Sequence, residues 1–173
     1  MAHKKIEDFI FQRKAYKGRL YALVDAAFDE RIYPLLKQYP QQCACLFHGY
    51  DLPRDVVAAA PHLVTMTAGH RLTDALQASD FPLVYVCSYA SLANLVLHFR
   101  KFINARDRNG HQYYFRFYDP RVFAVFLPSC DRQQLAQWFD CVHAYVCMDM
   151  GTQTATHFDY QGGLLLCEGI KAQ

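Results

Sequence analysis

Four short apolar runs, at residues 20–24, 43–47, 62–66 and 82–87, set the tightest limit on what this chain can fold into. Each is too short for a buried helix and shows no polar alternation, which is the pattern of strands covered on both faces. Between them, Ile32, Leu35, Leu36 and Tyr39 recur at helical spacing before Pro40, as do Leu72, Ala75 and Leu76. Strand and helix therefore alternate, and the expected fold is a single α/β domain with a mixed β-sheet flanked by helices.

The flanking segments extend this pattern. Residues 1–17 carry Ile6, Phe9 and Ile10 among charged residues ahead of Gly18, and read as an amphipathic N-terminal helix. The clearest helical pattern runs from Ser91 to Ile103, with Leu92, Leu95, Val96, Phe99 and Ile103 on an apolar face and Asn94, His98 and Lys101 on a polar one. Asn109-Gly110 is a hairpin-turn signal leading into a strand over 111–118, whose alternation puts Tyr113, Phe115 and Phe117 opposite Tyr114, Arg116 and Tyr118. Asp119-Pro120 opens a helix that ends near Pro128, because Asp caps the free amides and Pro occupies a position that needs no donor. Asp131 and Gln134 form a capping box for a helix bearing Leu135, Trp138 and Phe139. Strands are expected over 142–148, 152–160 and, after Gly162-Gly163, 164–167, which makes a late antiparallel hairpin.

Composition narrows the function classes. The chain has 173 residues, enough for one self-sufficient core, and 53% of them are hydrophobic, which excludes disorder for most of it. Its net charge of +2 is too balanced for a nucleic-acid or acidic-membrane binder. Lys4 and Lys5 are followed by Glu7 and Asp8 rather than by an apolar stretch, so no secretory signal is read and a cytoplasmic location is expected. Seven cysteines without paired spacing suit reduced, buried thiols. The glycines form no phosphate-cradling loop, and neither a G-x-S-x-G elbow nor an H-E-x-x-H helix occurs.

Two loose clusters carry metal-ligand chemistry. Cys43, Cys45 and His48 would need a bend to converge, since alternate strand residues share a face and His48 falls on the other. Cys141, His143 and Cys147 are equally loose, and neither cluster is assigned a metal or cofactor. Asp25 ends the first apolar run, where open α/β sheets place ligand groups, but it has no adjacent acid or base. Arg116 and Arg121 suit a structural ion pair, with Asp25 as one partner for Arg116; Tyr and Arg also dominate binding hot spots.

Phe115-Arg116-Phe117-Tyr118-Asp119-Pro120-Arg121 resembles the signature of the type VI secretion effector-adaptor chaperones, the Tap or TEC family, long catalogued as a domain of unknown function. Three further segments resemble that family in order: Leu20-Tyr21-Ala22-Leu23-Val24-Asp25, Leu46-Phe47-His48-Gly49 and Leu95-Val96-Leu97-His98-Phe99-Arg100. The resemblance spans roughly Leu20 to Trp138, leaving the first helix and the strands of 142–167 outside it, and His62 stands where many members carry Trp. It implies a non-enzymatic protein that binds a type VI secretion effector and loads it onto the VgrG spike, with no catalytic, cofactor or metal residues. Asp25, Arg116, Tyr118, Asp119 and Arg121 are the signature residues so carried over. Phe9 and Ile10, with the Tyr-rich strand, are candidate partner contacts. Two other readings stand beside it: a small α/β hydrolase using Asp25 and a loop histidine, and an immunity-type protein that binds a toxin to block it.

Overall fold

In the computed structural model, the residues described are 18–47, 52–79, 81–149, 152 and 154–171. The expected helix of 1–17, with Phe9 and Ile10, and the His48-Gly49 pair lie outside them. The apolar runs become β1 (Arg19–Asp25), β2 (Cys43–Cys45), β3 (Pro61–Met66) and β4 (Leu83–Ser88). The helices α1 (Ile32–Lys37), α2 (Arg54–Ala58), α3 (Arg71–Ala78) and α4 (Leu92–Arg100) separate or follow them. A small hairpin of β5 (Asn104–Arg106) and β6 (Gln112–Tyr114) precedes α5 (Pro120–Phe126), a 3-10 turn at Leu127–Ser129 and α6 (Arg132–Trp138). The described chain closes with β7 (Ala144–Asp149), β8 (Thr154–Gln161) and β9 (Leu164–Lys171).

Seven strands form one sheet in the order β2-β3-β1-β4-β7-β8-β9, and β5 and β6 pair separately. The α/β class and the helix-flanked sheet are as expected, but every ladder is antiparallel, not mixed. The reason lies in the crossovers. β1 and β2 run the same way but β3 lies between them; β3 and β4 also run the same way, with β1 between. The two crossovers through α1 and α3 thus each skip a strand, and the interleaved strands meet antiparallel, the arrangement of a split βαβ unit.

Both faces of the sheet are covered, as the unbroken apolar runs require. On β1, Leu20, Ala22 and Val24 join Ile32 and Leu36 of α1 and Leu72 and Leu76 of α3 in one core. Tyr21 and Leu23 point the other way, into a second core with Leu95 and Phe99 of α4, Phe123 of α5 and Leu135 and Trp138 of α6. Buried phenols are satisfied: Tyr21 Oη donates to the Ala90 carbonyl at 2.7 Å and Tyr145 Oη to the Trp138 carbonyl at 2.6 Å. Gly18 lets β1 start against β4, since a Cβ there would sit 2.7 Å from the Ser88 carbonyl oxygen.

Three expectations need correction. The strand expected over 111–118 stops at Tyr114: the Phe115 amide still bonds to the Ile103 carbonyl as a last rung, and the Asp119 amide then closes a turn on Arg116. The alternation expected beyond it therefore breaks down: Tyr114 and Arg116 are exposed, whereas Tyr118 is buried beside Arg116. His98, assigned to a polar helix face, is 3% exposed. Helix α4 is covered on two sides: Phe99 enters the sheet-facing core, while Phe102, one turn on from His98, stacks on Trp138 of α6 with centroids 3.9 Å apart. Finally, the run at 43–47 keeps only three strand residues, all half-buried, because β2 is the edge of the sheet.

Candidate functional site

The signature segment is a clamp that buries Phe117 through Pro120 and turns Arg116 and Arg121 out to the surface on either side. Phe115 packs edge-on against Phe126 at 4.5 Å, and Phe117 stacks on Phe99 at 5.7 Å. Between them Arg116 turns outward, where its Nη2 donates to Asp25 Oδ2 at 2.6 Å. Asp25 ends β1, and its other oxygen accepts from the Ala27 amide at 3.0 Å, folding the chain back after the strand. Tyr118 is buried beside this pair; burial, with the Asp25 carboxylate nearby, pushes its phenol up, and the Arg116 guanidinium partly offsets this.

Asp119 then caps α5, accepting from the Arg121 amide at 3.0 Å, with Pro120 as the first helical residue. Arg121 folds back and grips the same carboxylate through Nε at 3.0 Å and Nη2 at 2.7 Å. Burial alone would raise the Asp119 carboxyl, but the Arg121 hydrogen bonds and charge, with Arg116 at 3.8 Å, hold it below the usual carboxylate range. Asp25, Arg116, Asp119 and Arg121 thus form one network whose carboxylates are buried and whose guanidinium groups reach solvent. The expected pairing of Arg116 with Asp25 is present. It ties the hairpin exit to the end of β1, and Asp119 links it to α5.

The other singled-out residues do not converge. Among the described residues no group of three His, Cys, Asp or Glu side chains is placed to hold a metal ion. Burial pushes the Cys43 thiol up to about 12 and raises that of Cys45. Cys147 is buried in the core, whereas His143 lies outside it, edge-on to Tyr89 at 4.5 Å. Among the described residues no histidine is hydrogen-bonded to Asp25; His62, one register step away opposite Val24, turns its Nδ1 to the Ala60 carbonyl at 2.9 Å.

A second feature was expected only in part: the hairpin and its Tyr-rich strand were expected, the cleft beside them was not. The β5–β6 hairpin stands off the main sheet with every strand residue exposed, and Tyr114, 66% exposed, stacks on Phe47 with centroids 5.0 Å apart. Beneath this stack lies a cleft of about 350 Å³ lined by Leu46, Phe47, Arg100, Ile103, Gln112 and Tyr114, among others. Arg100 donates from Nη2 to the Cys45 carbonyl at 3.0 Å, while its Nε is enclosed without a partner, and no carboxylate pairs with it among the described residues. In the sequence it stands inside the Ser91–Ile103 helical pattern and closes the family-like segment Leu95–Arg100, and neither marks it as lining a cleft. A larger hollow of about 620 Å³ lies between α4 and α6, lined by Lys101, Phe102, Gln133, Gln137 and Asp140, and none of the signature residues lines it.

No described helix is long and apolar enough to cross a membrane. No curated protein and no solved structure gives a significant match to the chain. A family model does match, and it spans residues 20–137, which hold β1 through nearly all of α6 and the whole Asp25, Arg116, Asp119 and Arg121 network. The chain therefore belongs to the family described as a domain of unknown function, DUF4123.

Proposed function

We propose that the protein is a non-enzymatic cytoplasmic adaptor that binds one type VI secretion effector and carries it to the VgrG spike. The observation that carries this reading is the surface around the β5–β6 hairpin: two exposed tyrosines, a Phe47–Tyr114 stack and a half-apolar cleft holding an arginine with no acidic partner among the described residues. Tyr and Arg beside a pocket are the residue types that anchor protein interfaces. The signature resemblance supports the same reading and names the partner class. In this reading the Asp25–Arg116 and Asp119–Arg121 pairs hold the hairpin in place, and the hairpin and cleft make the contact.

Co-purification of the tagged protein with the products of its neighbouring genes tests the proposal. An effector should be retained by the wild type and by Arg121→Lys, and be lost with Arg100→Ala or Tyr114→Ala while these variants keep their wild-type melting temperature. Retention of the effector by both alanine variants would move the contact elsewhere; capture of a toxin whose activity is blocked, with no spike protein bound, would favour the immunity reading.

A further inference from the structure

The sheet ends in two different edges. β2 is three residues long, whereas β9 runs eight residues, Leu164–Lys171, with β8 on one side and, among the described residues, no strand on the other. Sheet edges are normally blunted by brevity, proline or charge. Here the first half of the edge, Leu164-Leu165-Leu166-Cys167, carries no charge, with Leu164 68% and Leu166 48% exposed, and the charges Glu168 and Lys171 fall in the second half. Gly162 and Gly163 both have positive φ, 59° and 88°, and form a two-residue turn. The flanking Gln161 and Leu164 are register partners and form the first hydrogen-bonded pair of such a hairpin, so the even residues of β9 bond to β8. Leu165, Cys167, Gly169 and Lys171 then turn their backbone donors and acceptors away from the sheet.

We propose that β9 pairs antiparallel with β9 of a second copy of this chain, about a two-fold axis at Cys167. A two-fold axis perpendicular to the sheet keeps each side chain on its own face, so only registers centred on a residue are possible. Centring on Glu168 would set two glutamates directly opposite, which is destabilising. Centring on Cys167 instead matches Leu164 with Ile170, Leu165 with Gly169 and Leu166 with Glu168, and covers the two exposed leucines. It also brings outward-facing backbone against outward-facing backbone. The inference does not depend on the adaptor reading.

The register makes the test specific. Opposed Cys167 residues in a hydrogen-bonded pair have Cα atoms about 5.5 Å apart, within the roughly 4.4–6.8 Å span of a disulfide. Diamide, which takes up the two electrons and two protons released as the S–S bond forms, should yield a covalent dimer that Cys167→Ser abolishes. In sedimentation of the full chain, Leu166→Glu should weaken dimerisation roughly tenfold relative to Leu166→Lys, because the pair with Glu168 occurs twice and changes sign. Leu166 also faces Asp159 of β8 within the chain, so the melting temperature of each variant is measured beside its sedimentation, and the expected tenfold difference is the part that remains in variants of equal melting temperature. A monomer at every soluble concentration would overturn the proposal, as would a dimer indifferent to the sign of the charge at 166. Protection of β9 amides from exchange only when a secretion partner is added would assign the edge to that partner and equally overturn it.

Discussion

Replacing Arg116 by alanine should destabilise the fold by about 2 kcal/mol, a value that follows from the asymmetry of its ion pair. Asp25 is 4% exposed, and without Arg116 its carboxylate keeps the Ala27 amide as its remaining donor among the described residues. Removing one member of a fully buried pair costs about 3–5 kcal/mol. The Arg116 side chain is 52% exposed, however, so water can enter the space it leaves, and the loss falls to the scale of one hydrogen bond to a charged group. For a domain of this size the melting temperature should fall by roughly 4–8 °C. The assay is urea denaturation followed by the fluorescence of Trp138, the only tryptophan, which sits among Phe102, Phe117 and Phe123. In a double-mutant cycle with Asp25→Ala the coupling should be about 1 kcal/mol or more. Arg116→Lys, which keeps the charge, should recover part of the loss. If the two alanine substitutions added to within about 0.5 kcal/mol, the pair would not be the clamp described here.

Asp119→Ala should cost about 1 kcal/mol through loss of the α5 cap, and Asp119→Asn less, measured by the same denaturation. Because the Asp119 carboxyl is held below the ordinary carboxylate value, its contribution is present above the unfolded pKa and is lost as pH falls through the lower folded value; the Asn variant should flatten that acid slope. Burial, with Lys101 nearby, holds the His98 imidazole below the ordinary histidine value, so its neutral form favours the fold. Stability should decline as pH falls from about 6.5, and His98→Phe should remove part of that decline, leaving the share of His62, whose imidazole burial also lowers. Iodoacetamide at neutral pH should label exposed Cys167 first, whereas Cys43 and Cys87, both pushed up to about 12 by burial, should react only on unfolding, as peptide mapping would show.

Local signals were legible where a few consecutive residues decide the outcome. The β1, β3 and β4 runs, the Asp119-Pro120 helix start and the Asp131–Gln134 capping box all stand where the sequence placed them. Strand direction was not legible, because alternating strand and helix signals carry no information about which strand later slots between two others. His98 misled for a related reason: a helical wheel sees the face toward the sheet, and Trp138, forty residues on, covers the other side. The short helix α2 has none of its residues fully buried and left no periodic trace. Within the site, Arg116 and Asp25 could be paired from their chemistry, although 91 residues separate them. The cleft could not be found that way, since Phe47, Arg100 and Tyr114 come from three separate elements and meet only in the fold.

The adaptor reading meets its most direct test in secretion itself. With the gene deleted and the secretion machine otherwise intact, the culture medium should lose one effector while the spike and tube proteins are still released, and expression of the wild-type protein should restore it. Expression of Tyr114→Ala should not. Unchanged release of every effector in the deletion strain would contradict the account.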